Sequence, residues 1–325
     1  MGLIFAAVVP LMLAGCAGMT PLPDVARPGA AGVGDSFYPA MGNGGYDAQQ
    51  YDLVLDVDVA SNSIAGTATM RALASHPLTA FNLDLAGLSV IAVTVNGQPA
   101  AFTRADNELI ITPVAPIPRD TEFTVTVAYF GQPEPIVDPG AFYSDVGWMQ
   151  QENGTFVASQ PSGAMNWYPV NNHPLDKATY TITVTVPREY QVAANGVLQQ
   201  VEDHGAMSTY KWVSANPVAS YLTTVQVADY DVESADGPDG VRIRNYFPVG
   251  TNAAVRNKFA NTADMLDYYS AMIAPYPFAA YGNILLNQNY GWALETQTLS
   301  TFGAQGQREE VVAHELVHQW FGNSV

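Results

Sequence analysis

Near the end of the chain stand two histidines and a glutamate, His314-Glu315-Leu316-Val317-His318, whose types and spacing suit metal chemistry. On a helix, positions four apart lie about 40° from each other on one face and a turn apart, so two imidazole nitrogens can reach one ion. Imidazole nitrogen is a zinc ligand, and zinc lowers the pKa of its bound water toward about 7. Glu315 falls about 60° round from His318, off the ligand line yet within reach of that water, where a carboxylate takes a proton and returns it to a leaving amine.

A helix must carry these residues and a fold must hold the helix. Glu309 and Glu310 suit the positive end of its dipole, and Gly322-Asn323 predicts a left-handed stop. Val312, Leu316 and Trp320 form an apolar stripe on the far side from His314, so the helix packs on one face and presents its histidines on the other. The chain's 325 residues, 48% hydrophobic, are enough for about two domains with cores of their own. Twelve Lys and Arg against 30 Asp and Glu give a net charge of −18, which argues against a nucleic-acid surface and against charge-driven binding to anionic lipid.

Residues 1–16 read as an export signal. Leu3 to Leu13 is almost wholly apolar, too short to span a membrane, and Leu13-Ala14-Gly15-Cys16 closes it. That ending resembles a bacterial lipobox, which implies a lipid anchor on Cys16, the chain's single cysteine, and an extracytoplasmic protein held at a membrane. No Lys or Arg precedes the apolar run, which departs from the usual signal. Residues 17–45, rich in Pro, Gly and Ala, predict a flexible tether.

From 46 to 231 the pattern is β. Tyr51 to Val59 alternates, turns through Ser61-Asn62-Ser63 and continues in Ile64 to Met70; Val90 to Val95 ends at Asn96-Gly97; Glu122 to Tyr129, Ala178 to Val186, Tyr210 to Val213 and Tyr221 to Val227 are further strands. An antiparallel sheet domain is expected. Residues 232–325 change character: a helix is predicted over Asn252 to Ile273, ending before Pro275, then a strand over Asn283 to Asn287 and a turn at Tyr290-Gly291-Trp292 before the histidine helix.

Four stretches, in order, resemble the aminopeptidase N family of zinc peptidases, the thermolysin-like group whose third zinc ligand is a glutamate. They are Tyr51 to Met70; Trp167 to Tyr180, with Asn195-Gly196 after it; Trp292-Ala293-Leu294-Glu295-Thr296, where the family has Gly-Ala-Met-Glu-Asn; and His314 to Asn323, similar to His-Glu-x-x-His-x-Trp-x-Gly-Asn. The resemblance covers roughly residues 45–325 and implies a saddle-like β domain followed by the first part of an α/β thermolysin-like catalytic domain. It implies one zinc ion per chain on His314 and His318, with Glu315 as general base. It also implies substrate contacts at Ala293 and Glu295, the Glu295 carboxylate pairing with a peptide's free α-ammonium, and a supporting role for Gln160. The substrates implied are peptides with a free amino terminus.

The departures are specific. Trp292 stands in the family's Gly position, Asn172 replaces an Asp, and Val170 replaces a Cys. The family's third ligand and oxyanion-stabilising Tyr fall beyond Val325, so these 325 residues by themselves are expected to be inactive. His173 and His204 sit in the β region, away from the metal. A thermolysin-type endopeptidase, which would cut internal bonds of amino-blocked peptides, remains an alternative. So does a non-catalytic surface lipoprotein that binds peptides.

Overall fold

The computed structural model describes residues 25–141, 143, 145–304 and 308–325; the signal reading and Cys16 lie outside the described residues. Strand Tyr46–Asp58 shows why the β pattern was legible: Tyr51, Leu53, Leu55 and Val57 face the core while Asp56 and Asp58 face water. It pairs antiparallel with Ser63–Ala74 and parallel with Ala178–Pro187. Around these three an eight-stranded sheet runs in the order Val197–Asp203, Met207–Val218, Ala178–Pro187, Tyr46–Asp58, Ser63–Ala74, Glu122–Gly131, Ser89–Val95, Gln98–Pro99. A three-stranded sheet (Phe81–Asp84, Glu108–Thr112, Ala101–Ala105) and a five-stranded one (Gln191–Ala194, Val225–Ala228, Gly154–Ala158, Asp145–Gln151, Ile136–Val137) accompany it.

Two of these strands escape sequence patterning. Asp145–Gln151 and Gly154–Ala158 form a hairpin buried on both faces, so their residues do not alternate. The turn between them is Asn153-Gly154, with Asn153 at φ +57°, a pair that by itself marks a turn but not the strands around it. The strand expected over Tyr221 to Val227 is shorter: Ser220–Leu222 is a 3-10 turn, and the strand starts at Val225.

The tether reading fails for residues 25–45. The Arg27 and Gly29 amides donate to Pro77 and Ala80 carbonyls (3.0 and 2.9 Å), and Met41 and Asn43 are buried. Small residues permit this close approach: a Cβ on Gly29 would stand 2.4 Å from the Gly44 carbonyl oxygen. The glycines that look like linker composition are here a packing requirement.

The last five-stranded sheet runs Tyr230–Asp236, Arg242–Pro248, Ala280–Leu285, Ser300–Phe302, Ala293–Leu294, its three inner strands parallel and its two edges antiparallel. The single helix expected over Asn252 to Ile273 is broken into Ala253–Arg256, a 3-10 turn Asn257–Phe259, and Thr262–Met272. Phe259 is drawn into a cluster with Phe247 and Phe302, and the Thr262 hydroxyl donates to its carbonyl (2.7 Å), restarting the helix. Among the described residues no helix is long and apolar enough to cross a membrane.

Candidate metal and substrate site

Helix Glu309–Val317 lies against the last sheet. Val312 packs among Phe247, Phe259 and Phe302, and Leu316 and Trp320 pack with Leu266 and Tyr281; the Trp320 indole donates to the Ala274 carbonyl (2.8 Å). That leaves His314 exposed and His318 half-buried on the opposite face. Beyond His318 the chain widens into a π turn, Gln319–Ser324, with Gly322 at φ +112°. The widening brings the Phe321 carbonyl 3.1 Å from His318 Nδ1. A proton held on Nδ1 by that oxygen leaves the Nε2 lone pair free for a metal.

The two Nε2 atoms stand 3.1 Å apart. Two nitrogens bound tetrahedrally at zinc distances are separated by about 3.3 Å, so the pair fits one zinc ion. Among the described residues no cluster of three or more His, Cys, Asp or Glu side chains is placed to hold a metal. His173 is buried against Asp35 (3.3 Å), and His204 lies exposed beside Glu202 (3.5 Å). Neither joins the pair.

Glu315, between the histidines, is only 5% exposed. Burial first, and then the charge of Glu295, push its carboxyl up to about 8. A cation bound beside these two acids would favour their charged forms and relieve that repulsion. Glu295 follows the edge strand Ala293–Leu294, which pairs antiparallel with Ser300–Phe302. Gln160, from the segment after the buried hairpin, donates from Nε2 to Glu295 Oε1 (3.2 Å) across 135 residues.

The backbone of the Glu295 loop is held from several sides. Its carbonyl accepts from Asn323 Nδ2 (2.7 Å) and Gln319 Nε2 (3.2 Å), while Gln319 Oε1 accepts from the Thr298 amide (2.8 Å). Asn195 Nδ2 donates to the Gln297 carbonyl (2.8 Å), and the Gly196 amide to Thr298 Oγ1 (2.7 Å). These supports were not anticipated from the sequence. Asn195-Gly196 and Gln319 stood inside recognisable motifs, but nothing local says that they grip this loop.

Trp292 stacks on Tyr143, ring centres 4.4 Å apart and planes 20° off parallel. Tyr143 and Tyr221 both lie in the field of Glu295: burial, then that charge, raise each phenol, Tyr221 to about 12. The Trp292 position is thus an aromatic wall beside the carboxylate rather than open backbone, and Ala293 after it is half-buried.

Residues 47–222 match the family described as the Peptidase M1 N-terminal domain. Aminopeptidase M1-A of Oryza sativa subsp. japonica is 28% identical over 311 residues, which are 85% of this chain and 34% of that protein. The chain therefore spans about a third of that relative's length. Aminopeptidase N of Acetobacter pasteurianus is 26% identical over 298 residues, 85% of this chain and 83% of that protein. The crystal structure of an M1 zinc metallopeptidase from Deinococcus radiodurans superposes with a TM-score of 0.84 at 33% identity, covering 90% of this chain and 68% of that one. A mutant of the Deinococcus enzyme solved with a Tyr-Ser-Ala substrate matches equally well, with a TM-score of 0.84 at 33% identity.

Proposed function

The chain belongs to the M1 family of aminopeptidase N-like zinc metallopeptidases, and from that premise we propose that the whole protein hydrolyses the first peptide bond of peptides with a free amino terminus. One observation carries the reading: a pair of imidazole nitrogens 3.1 Å apart flanks Glu315, whose pKa is raised first by burial and then by a second acidic residue, Glu295, itself bonded to Gln160.

His314 and His318, with a further ligand, would hold one zinc ion, which when bound supplies Lewis acidity and a water of lowered pKa. Glu315 takes the proton of the attacking water and passes it to the leaving amine. Glu295 receives the peptide's α-ammonium, with Gln160 fixing the carboxylate from behind. A chain interior offers no cation there, so binding it would leave the Glu295 carboxylate desolvated and unpaired. Ala293, half-buried in the edge strand two residues before the same carboxylate, can line an extended peptide.

The test is Glu315→Gln in the zinc-loaded whole protein, assayed on an aminoacyl p-nitroanilide and on its N-acetylated form. Metal content by atomic absorption is expected to stay at wild type while hydrolysis falls by at least ~10²-fold. Activity surviving the substitution removes Glu315 from the mechanism, and equal cleavage of the acetylated substrate favours an endopeptidase.

The export reading belongs to the same proposal: a lipid on Cys16 would tether the enzyme to a membrane outside the cytoplasm. It is supported by the apolar run and small residues before Cys16. Labelling with a radioactive fatty acid is expected in the wild type and lost in Cys16→Ser; labelling that survives excludes the anchor.

A further inference from the structure

We propose that Lys177 is a positioning residue that holds the amino-terminus-binding carboxylate, Glu295, in register with the histidine helix; this rests on the aminopeptidase reading. Lys177 Nζ donates to the Asn323 backbone carbonyl (2.9 Å). Asn323 Nδ2 in turn donates to the Glu295 carbonyl (2.7 Å). The chain of contacts thus runs from the β domain through the end of the histidine helix to the loop that carries Glu295.

Each link has a physical reason. Phe321 and Gly322 leave helical φ and ψ; the His318 and Trp320 carbonyls accept from the Asn323 and Val325 amides (3.1 and 3.3 Å), and the Asn323 carbonyl takes the Lys177 ammonium. An ammonium group at a helix C-terminus satisfies such a carbonyl and suits the dipole. Lys177 is itself fixed, because it sits between Asp176, which accepts from the Ala48 amide (3.0 Å), and strand Ala178–Pro187 in the middle of the eight-stranded sheet. The backbone from which the ammonium reaches Asn323 is therefore held in the sheet. Without the ammonium, Asn323 keeps its amide bond to the His318 carbonyl (3.1 Å) but loses the anchor on its own carbonyl, and with it the Glu295 carbonyl loses the firm placement of one of its two side-chain donors.

The consequence is specific to substrate placement. A peptide held by its ammonium at a shifted Glu295 presents its scissile carbonyl out of line with Glu315, and the amine itself binds less well. The test uses the zinc-loaded whole protein as wild type, with Lys177→Met and Lys177→Arg, measuring KM and kcat on leucine p-nitroanilide and calorimetric binding of free L-leucine. Lys177→Met is expected to raise KM and the Kd for L-leucine on the order of 10-fold, with unchanged zinc content, and Lys177→Arg, which keeps a cationic donor, to restore most of both. Wild-type KM and Kd in Lys177→Met overturn the inference. So does a loss of kcat alone that Lys177→Arg fails to rescue, which is the signature of a folding role.

If Lys177→Met does not fold, Asn323→Leu decides, since it removes the Nδ2 donor to Glu295 and keeps the carbonyl that Lys177 uses: a raised Kd supports the relay and a wild-type Kd overturns it. Wild type that neither binds L-leucine nor cleaves the anilide sinks the aminopeptidase reading itself, a result separate from any difference among the variants.

Discussion

Glu295 is gripped twice, by its carboxylate through Gln160 and by its carbonyl through Gln319 and Asn323. The side chain and the main chain can therefore be tested apart. Glu295→Gln leaves the backbone contacts and removes the charge. A charge-assisted hydrogen bond contributes about 1.5–3 kcal/mol, so kcat/KM on a free-amine substrate is expected to fall on the order of 10- to 100-fold, chiefly through KM. The acetylated substrate, which brings no ammonium, should be cleaved no worse than before. The motifs made Glu295 and the histidine pair legible, because family spacing is a local property. The burial of Glu315 was not, since it depends on what packs over the helix.

At the level of elements, the widened turn after the histidine helix is set by Gly322. A Cβ there would have room, its nearest neighbour being His318 Nδ1 at 3.7 Å, so the cost of Gly322→Ala is conformational, about 1–2 kcal/mol from φ +112°. Relaxing the turn also withdraws the Phe321 carbonyl from His318, and a weaker zinc affinity in a competitive chelator titration is expected beside the lowered melting midpoint.

Strand Phe81–Asp84 offers a second test, of pH. Asp84 is buried, accepting from the Asn172 amide (2.8 Å) and Asn43 Nδ2 (3.1 Å), and burial pushes its carboxyl up to about 7 against those hydrogen bonds. Its folded pKa lies above the unfolded value near 3.9, so its stability is complete below that value and declines as pH rises toward 7. Asp176, also raised to about 7, chiefly by burial, acts in the same direction. Asp84→Asn should flatten the fall in unfolding free energy between about pH 4 and 7 by up to about 1.4 kcal/mol per pH unit. An unchanged slope in urea melts would refute this.

Across the whole molecule, the change of sequence character after residue 231 does not mark a break in packing. Tyr246, Ile284 and Leu299, from the last sheet and its loop, belong to the same core as the eight-stranded sheet. Arg244 is buried with them: its guanidinium lies 4.9 Å from the Trp212 ring centre and donates to the Ala194 carbonyl (3.2 Å). A shared core predicts one cooperative unfolding transition, with calorimetric and van't Hoff enthalpies equal, rather than two. Arg244→Met is expected to lower stability by about 1–3 kcal/mol while keeping the transition single, because it strips a cation from the indole face and removes a charged donor from a buried carbonyl.

The sequence by itself determined the reactive residues, their helical spacing, and the strands whose two faces differ, because periodicity and motif spacing act over a few residues and leave their mark there. Tertiary structure decided what those residues meet. Gln160 reaches Glu295, and Lys177 the end of the histidine helix, across 135 and 146 positions, contacts that exist only once the sheet order is set. It also decided that the glycine-rich stretch 25–45 packs rather than swings, and that the doubly buried hairpin is a hairpin at all. Hydrogen bonds and burial between distant segments are properties of the assembled layers, and a linear pattern carries no coordinate for them.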